Sequence, residues 1–274
     1  MKQSVKFVLL AVLFCAYCAT AHGNKRVVRM ANGIAVPIAD YPYVVTVNVT
    51  DSSGQSYYKP GVIITDTQVL TAATVVSRTV NQPAIVSIVI RAGSVYQDQG
   101  GFTFPVSNYQ KDPLHNSPYG SHDVAVITIN GSFSGYANVK PIAMHSTPLP
   151  PATNCVALGW DTDVSSNALL RQAAYALSTD ADCAASLDGP VPPTVQCAAS
   201  VTVGFACHDD GGPLVCNGRL YGLLQQWCYS GVVPYVSIPA AETQSYLSPL
   251  LVFPASGSAT VPRKNYMTCS CQSC

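Results

Sequence analysis

The side chains able to do acid–base or nucleophilic work are few. The densest group is Cys207-His208-Asp209-Asp210-Gly211-Gly212-Pro213, an imidazole and two carboxylates beside a glycine pair. His122-Asp123 is a second, and Val69-Leu70-Thr71-Ala72-Ala73-Thr74 offers hydroxyls without an imidazole. Imidazole titrates near neutral pH, so His208 could serve as a general base. Its loop holds no nucleophile to activate, so it reads as a surface-loop histidine. His115 and His145 fall in loops, and nothing in the spacing groups them. No His-x-x-x-His and no carboxylate cluster supports zinc. Cys269, Cys271 and Cys274 could take a soft metal, but a structural zinc needs four ligands. No metal and no cofactor is expected.

The elements that must position these residues are strands. Tyr43–Val49, Gly61–Thr65, Gln68–Ala72, Ala84–Arg91, Asp123–Ile129, Cys155–Trp160, Leu169–Ser178, Thr194–Ala199, Pro213–Cys216 and Leu220–Gln225 are short runs divided by Gly, Pro, Asn and Asp. Such spacing predicts a sandwich or barrel. Helices are expected only at Pro239–Leu250 and near Asp180–Leu187. Charged residues make up 10% of the 274, against about 25% in an average soluble protein. Thirteen of the 14 acids are Asp, a turn residue, and 14 Lys+Arg balance them. A helical bundle is excluded on these grounds. Zero net charge without a basic run also argues against nucleic-acid binding, which needs cations for phosphates.

Eleven cysteines point to an oxidising compartment. Lys2 and Lys6, the apolar run from Phe7 to about Ala16, and Ala19-Thr20-Ala21 read as a signal peptide over residues 1–21. The run is too short to span a bilayer, and no membrane association is expected. Removing it leaves 12 basic against 14 acidic residues and nine cysteines. Asn48-Val49-Thr50 and Asn130-Gly131-Ser132 are glycosylation sequons, at Asn48 and Asn130.

Four stretches fall in one order: Tyr41-Pro42-Tyr43-Val44-Val45, the run ending at Thr74, His122-Asp123-Val124-Ala125-Val126, and Cys207 through Cys216. Together they resemble the chymotrypsin/trypsin family of serine proteases over about residues 30–252. The resemblance implies an all-β fold of two six-stranded antiparallel β-barrels with a C-terminal helix, and a reaction centre in the cleft between them. It also implies pairing of Cys155 with Cys216, Cys183 with Cys197, and Cys207 with Cys228.

The departures from that family bear on activity. Thr74 stands where the family has its general-base histidine, and a hydroxyl cannot take a proton near neutral pH. Asp123 matches the family's aspartate, but the imidazole it would orient is absent. Counting back from Gly211-Gly212-Pro213, the serine's position holds Asp210. A carboxylate there would repel a developing oxyanion. His208 replaces the glycine two residues earlier, so the oxyanion hole is expected to be reshaped. The family's fourth bridge, beside its histidine, has lost both cysteines, which correspond to Lys59 and Val75. Phe205 and Trp227 fall at the floor and wall of the specificity pocket.

Arg29-Met30-Ala31-Asn32-Gly33 matches the family's activation site, with cleavage expected between Arg29 and Met30 after a short propeptide-like segment, residues 22–29. Residues 253–274 read as a tail that leaves three cysteines unassigned. An odd number allows a disulfide-linked dimer through Cys269, Cys271 or Cys274. The sequence therefore predicts a secreted, extracellular, non-catalytic protease homologue with an extracellular protein partner, acting as a binding module, cofactor or decoy in proteolysis. Two rivals are a serine endopeptidase with a rearranged site and weak activity, and a structural protein cross-linked through its tail.

Overall fold

A computed structural model describes residues 33–115, 120–160, 168–201, 208–225 and 231–251. The chain enters through β1 (Ile34–Ala35) and a 3-10 turn at Ile38–Asp40. The next six strands are β2 (Val44–Asp51), β3 (Ser56–Ile63), β4 (Gln68–Thr71), β5 (Ile85–Ala92), β6 (Phe102–Lys111) and β7 (Ala125–Ile129). They close in the order β2-β3-β4-β7-β6-β5, with β2 paired to both β3 and β5. A second set comprises β8 (Asn154–Gly159), β9 (Arg171–Leu177), β10 (Val195–Ser200), β11 (Pro213–Cys216), β12 (Arg219–Leu224) and β13 (Val232–Ser237). These close in the order β8-β9-β10-β13-β12-β11, and β1 adds to β9 from outside. All pairings are antiparallel, so the expected pair of six-stranded barrels is present.

Helices are short: α1 (Ala73–Val76), α2 (Asp180–Leu187) and α3 (Ala241–Leu247). Thr179 caps α2 by accepting a hydrogen bond from the Asp182 backbone N–H, at 3.1 Å. The C-terminal helix α3 is shorter than the sequence predicts and ends in Leu247, buried against the core. No described helix is long and apolar enough to cross a membrane.

Each barrel fills its own interior. Val45, Val47, Ile63, Ile90 and Ile127 pack in the first, and Tyr175, Leu214, Tyr221 and Tyr235 in the second. A third cluster joins the two. Val44, Val62 and Leu70 of the first barrel meet Leu158, Trp160, Leu223 and Val236 of the second. Removing this apolar surface from water holds the barrels together, which fixes the cleft between them.

Two expected disulfides are formed. Cys155 and Cys216 face each other across the β8–β11 ladder, and Cys183 of α2 is tied to Cys197 of β10. The expected Cys207–Cys228 pair lies outside the described residues. So do residues 1–21 and 22–29, Arg29, Met30, Phe205, Trp227 and the tail with Cys269, Cys271 and Cys274.

The sequence shows no signal for the two-residue β1 or the four-residue α1, and it hides β6, β13 and the first half of β3. Each of these three strands carries a proline: Pro105, Pro234 and Pro60. Proline lacks the N–H that a ladder uses and demotes a run read from sequence. β6 alternates apolar residues only at Phe102, Phe104 and Val106, and its second half, Ser107 to Lys111, faces solvent.

Candidate functional site

The site forms where four segments converge on the inter-barrel cleft. Helix α1 follows β4 after a single residue, Ala72, and places Thr74 in its first turn. Asp123 sits just ahead of β7, which pairs with β4. The ladder therefore brings Thr74 and Asp123 together from 49 residues apart. The Thr74 backbone N–H donates to Asp123 Oδ1 at 2.7 Å, and Thr74 Oγ1 donates to Oδ2 at 3.2 Å. Both carboxylate oxygens of the aspartate are thus taken by one threonine.

Asp123 is 1% exposed. Burial pushes its carboxyl up to about 7; the Thr74 hydrogen bonds favour the ionised form and oppose this, while the Asp210 charge adds to the upward push. His115 also faces Asp123, with Nδ1 3.7 Å from Oδ1. Burial lowers the pKa of this imidazole, and the Lys111 charge acts the same way. The sequence left His115 ungrouped in a loop. That reading is corrected: the loop after β6 folds back over Asp123, and nothing in residue spacing signals it. His122, by contrast, turns to Asp112, with Nδ1 2.9 Å from Oδ2.

The second half of the site precedes β11. Asp209 and Asp210 are both buried. Asp209 Oδ1 accepts the Trp160 backbone N–H at 2.8 Å. A Cβ on Gly159 would lie 2.2 Å from the Asp209 carboxyl carbon, so only glycine fits beneath it. Gly211 follows with φ +85°, where a Cβ would come within 2.2 Å of Thr71 Oγ1. The loop is thus pressed against β4 in a conformation that glycine adopts freely. His208 takes φ +61°, in the left-handed region despite its side chain.

Asp210 is engaged by a residue from the other barrel. Lys59, on β3, places Nζ 3.3 Å from Asp210 Oδ2 and donates to the His208 carbonyl at 2.9 Å. The side chains are 14% and 5% exposed, so the pair is largely out of water. Lys59 and Val75 correspond to the two lost cysteines of the resemblance. Lys59 reaches the loop carrying His208 and Asp210, and Val75 packs in the core of the first barrel.

The cleft above these residues encloses about 390 Å³, and its lining includes Thr74, Lys59, His115 and Asp210. Two acids at the site are each engaged, Asp123 by Thr74 and Asp210 by Lys59. Among the described residues no three His, Cys, Asp or Glu side chains converge as a metal centre requires. Of the sequons, Asn130 is exposed just after β7, whereas Asn48 is half-buried midway along β2, between two partner strands.

Comparison with known proteins agrees with this fold. The trypsin family model matches residues 30–246. Trypsin delta of Drosophila melanogaster is 30% identical over 210 residues, covering 73% of this chain and 79% of the relative. Trypsin alpha-4 of Lucilia cuprina is 29% identical over 211 residues, covering 73% and 78%. Among solved structures, HL collagenase superposes with a TM-score of 0.68 at 19% identity, covering 81% of this chain and 99% of that one. A scabies mite inactivated protease paralogue gives 0.66 at 20% identity, covering 79% and 97%. At these identities the two structures speak to the fold alone.

Proposed function

This chain belongs to the trypsin family of serine proteases, and we propose that it keeps the family's fold as a secreted, non-catalytic binding module. Its role is that of a cofactor or decoy in extracellular proteolysis, engaging a protein partner. The observation that carries this reading is the Lys59–Asp210 ion pair at the nucleophile's place. Acyl transfer needs a hydroxyl made nucleophilic by a base, and donors aimed at the developing oxyanion. Asp210 supplies neither, and Thr74 gives its hydrogen bonds to Asp123 instead of drawing a proton from a nucleophile. Loss of any one triad member leaves about 10³–10⁴-fold acceleration over water, and that residue depends on an intact oxyanion hole.

Secretion rests on the leader over residues 1–21, with release before His22. Cleavage after Arg29 would follow, leaving 9 basic and 14 acidic residues. Exposure of Asn130 favours a glycan there. With one internal bridge in the tail, one of Cys269, Cys271 or Cys274 is left over and allows a disulfide-linked dimer. N-terminal sequencing and a non-reducing gel check these features.

Labelling with a fluorophosphonate probe tests the central reading. The non-catalytic module stays unlabelled beside a trypsin control. Stoichiometric labelling would establish instead a hydrolase with a rearranged site.

A further inference from the structure

We propose that the cleft over Thr74 and Asp210 binds a carboxylate-bearing side chain of an acidic peptide segment, held by Arg78 and Lys111. This deepens the binding-module reading and rests on it.

Charge on the cleft lining does not cancel. Lys59 and Asp210 neutralise each other. Burial and Lys111 both favour the uncharged form of His115, and burial favours the protonated form of Asp123, which lies beneath Thr74. Arg78 and Lys111 remain. Both brace against one residue at the end of α1: Arg78 Nη1 donates to the Ser77 carbonyl at 2.6 Å, and Lys111 Nζ donates to Ser77 Oγ at 3.2 Å. Two cations therefore share one wall.

Arg78 is also pre-set for an anion. Its guanidinium carbon lies 4.6 Å over the Tyr57 ring, which restrains the long side chain. Its Nη2 is buried and has no acceptor among the described residues. A buried donor left unpaired costs free energy, so a turn of the Arg78 side chain that brings Nη2 to the cleft, where a ligand oxygen can accept from it, is favoured. The nearby Asp51 carboxylate, outside the cleft lining, attracts Arg78 through space and offsets part of its charge, while its Oδ1 accepts from the Ser53 and Gln55 backbone N–H groups and the Ser53 hydroxyl. A planar guanidinium matches a carboxylate, and a lysine beside it adds a point charge.

The cleft's size, about 390 Å³, suits a small insertion. A polyanionic glycan or nucleic acid fits the observations less well. Such ligands are held by many simultaneous ionic contacts. Here two cations line one wall, one of them partly offset by Asp51, on a chain with only 14 Lys+Arg in all.

The test is fluorescence anisotropy with a rhodamine-labelled, amidated Gly-Ser-Glu-Glu-Ser-Gly peptide, its Gln-Gln counterpart and a heparin hexasaccharide as competitor. The Glu peptide should bind about tenfold more tightly than the Gln peptide, the difference expected for a charge-assisted contact. Lys111→Gln and Arg78→Gln should each weaken it several-fold, whereas Lys140→Gln, exposed and outside the cleft, should not. Lys111 is exposed at the end of β6, so its variant keeps the test valid if Arg78→Gln fails to fold. Equal binding of the two peptides, no binding, insensitivity to Lys111, or a heparin fragment preferred over the Glu peptide would each overturn the proposal. Fluorophosphonate labelling of the same samples separates the two readings: labelling with Glu-selective binding sinks only the non-catalytic one, and no labelling with no binding sinks only this one.

Discussion

Lys59 Nζ and Asp210 Oδ2 stand 3.3 Å apart, joining strand β3 of the first barrel to the loop before β11 in the second. In the reading proposed above, Lys59 takes a cysteine position of the family and Asp210 its serine position. Their pairing ties the two barrels across the cleft.

That tie has a measurable cost of rupture. Lys59→Met leaves Asp210 a buried carboxylate without its cation and should destabilise the fold by about 2–5 kcal/mol. Adding Asp210→Ala should recover most of the loss, because the stranded charge is gone. Urea unfolding of the two variants checks both halves of this expectation.

Asp123 imposes a pH dependence of known sign. Its folded pKa, about 7, exceeds the unfolded value of about 3.9, so the native state holds the proton more tightly. Its contribution to stability is fully present below about pH 4 and is lost as pH rises through about 7. Asp123→Asn keeps a neutral partner for Thr74, whose hydroxyl can turn to accept. The variant should gain Tm relative to wild type at pH 8 and lose that advantage near pH 4.

Glycine at position 159 is required by Asp209. Gly159→Ala drives a Cβ to within 2.2–2.5 Å of the Asp209 carboxylate and must displace it from the Trp160 N–H. The expected cost is about 1–3 kcal/mol, that of a disrupted buried acceptor. Thermal unfolding would report it as a lowered midpoint.

The two disulfides should contribute unequally. Cys155–Cys216 spans 61 residues and Cys183–Cys197 spans 14. In the chain-entropy model the first is worth about 4 kcal/mol and the second about 3. Paired Cys→Ala variants compared by denaturant midpoint should rank in that order.

Much of this molecule could be read from local pattern. The runs around Val45, Leu70 and Val126 are β-branched and bounded by turn residues, so their strands were visible, as was α2 at Asp180–Leu187. Cys155–Cys216 and Cys183–Cys197 followed from the family resemblance. Strands with internal prolines were hidden, because Pro105 and Pro234 suit positions in a closed ladder that only tertiary structure defines. At the site, Thr74, Asp123 and Asp210 lie within motifs and were identified from sequence. Their partners were not. Lys59 reaches Asp210 across 151 residues, and His115 reaches Asp123 through a fold-back of its loop. Both contacts depend on how the barrels and loops pack, and no spacing encodes them.

Turnover of a mixed peptide library by the purified, processed protein, read by mass spectrometry, tests the central claim most directly. A non-catalytic homologue yields no cleavage above a heat-denatured blank. Cleavage that is present in wild type and abolished by Asp210→Ala or Thr74→Ala would show that these residues catalyse, and would contradict the account.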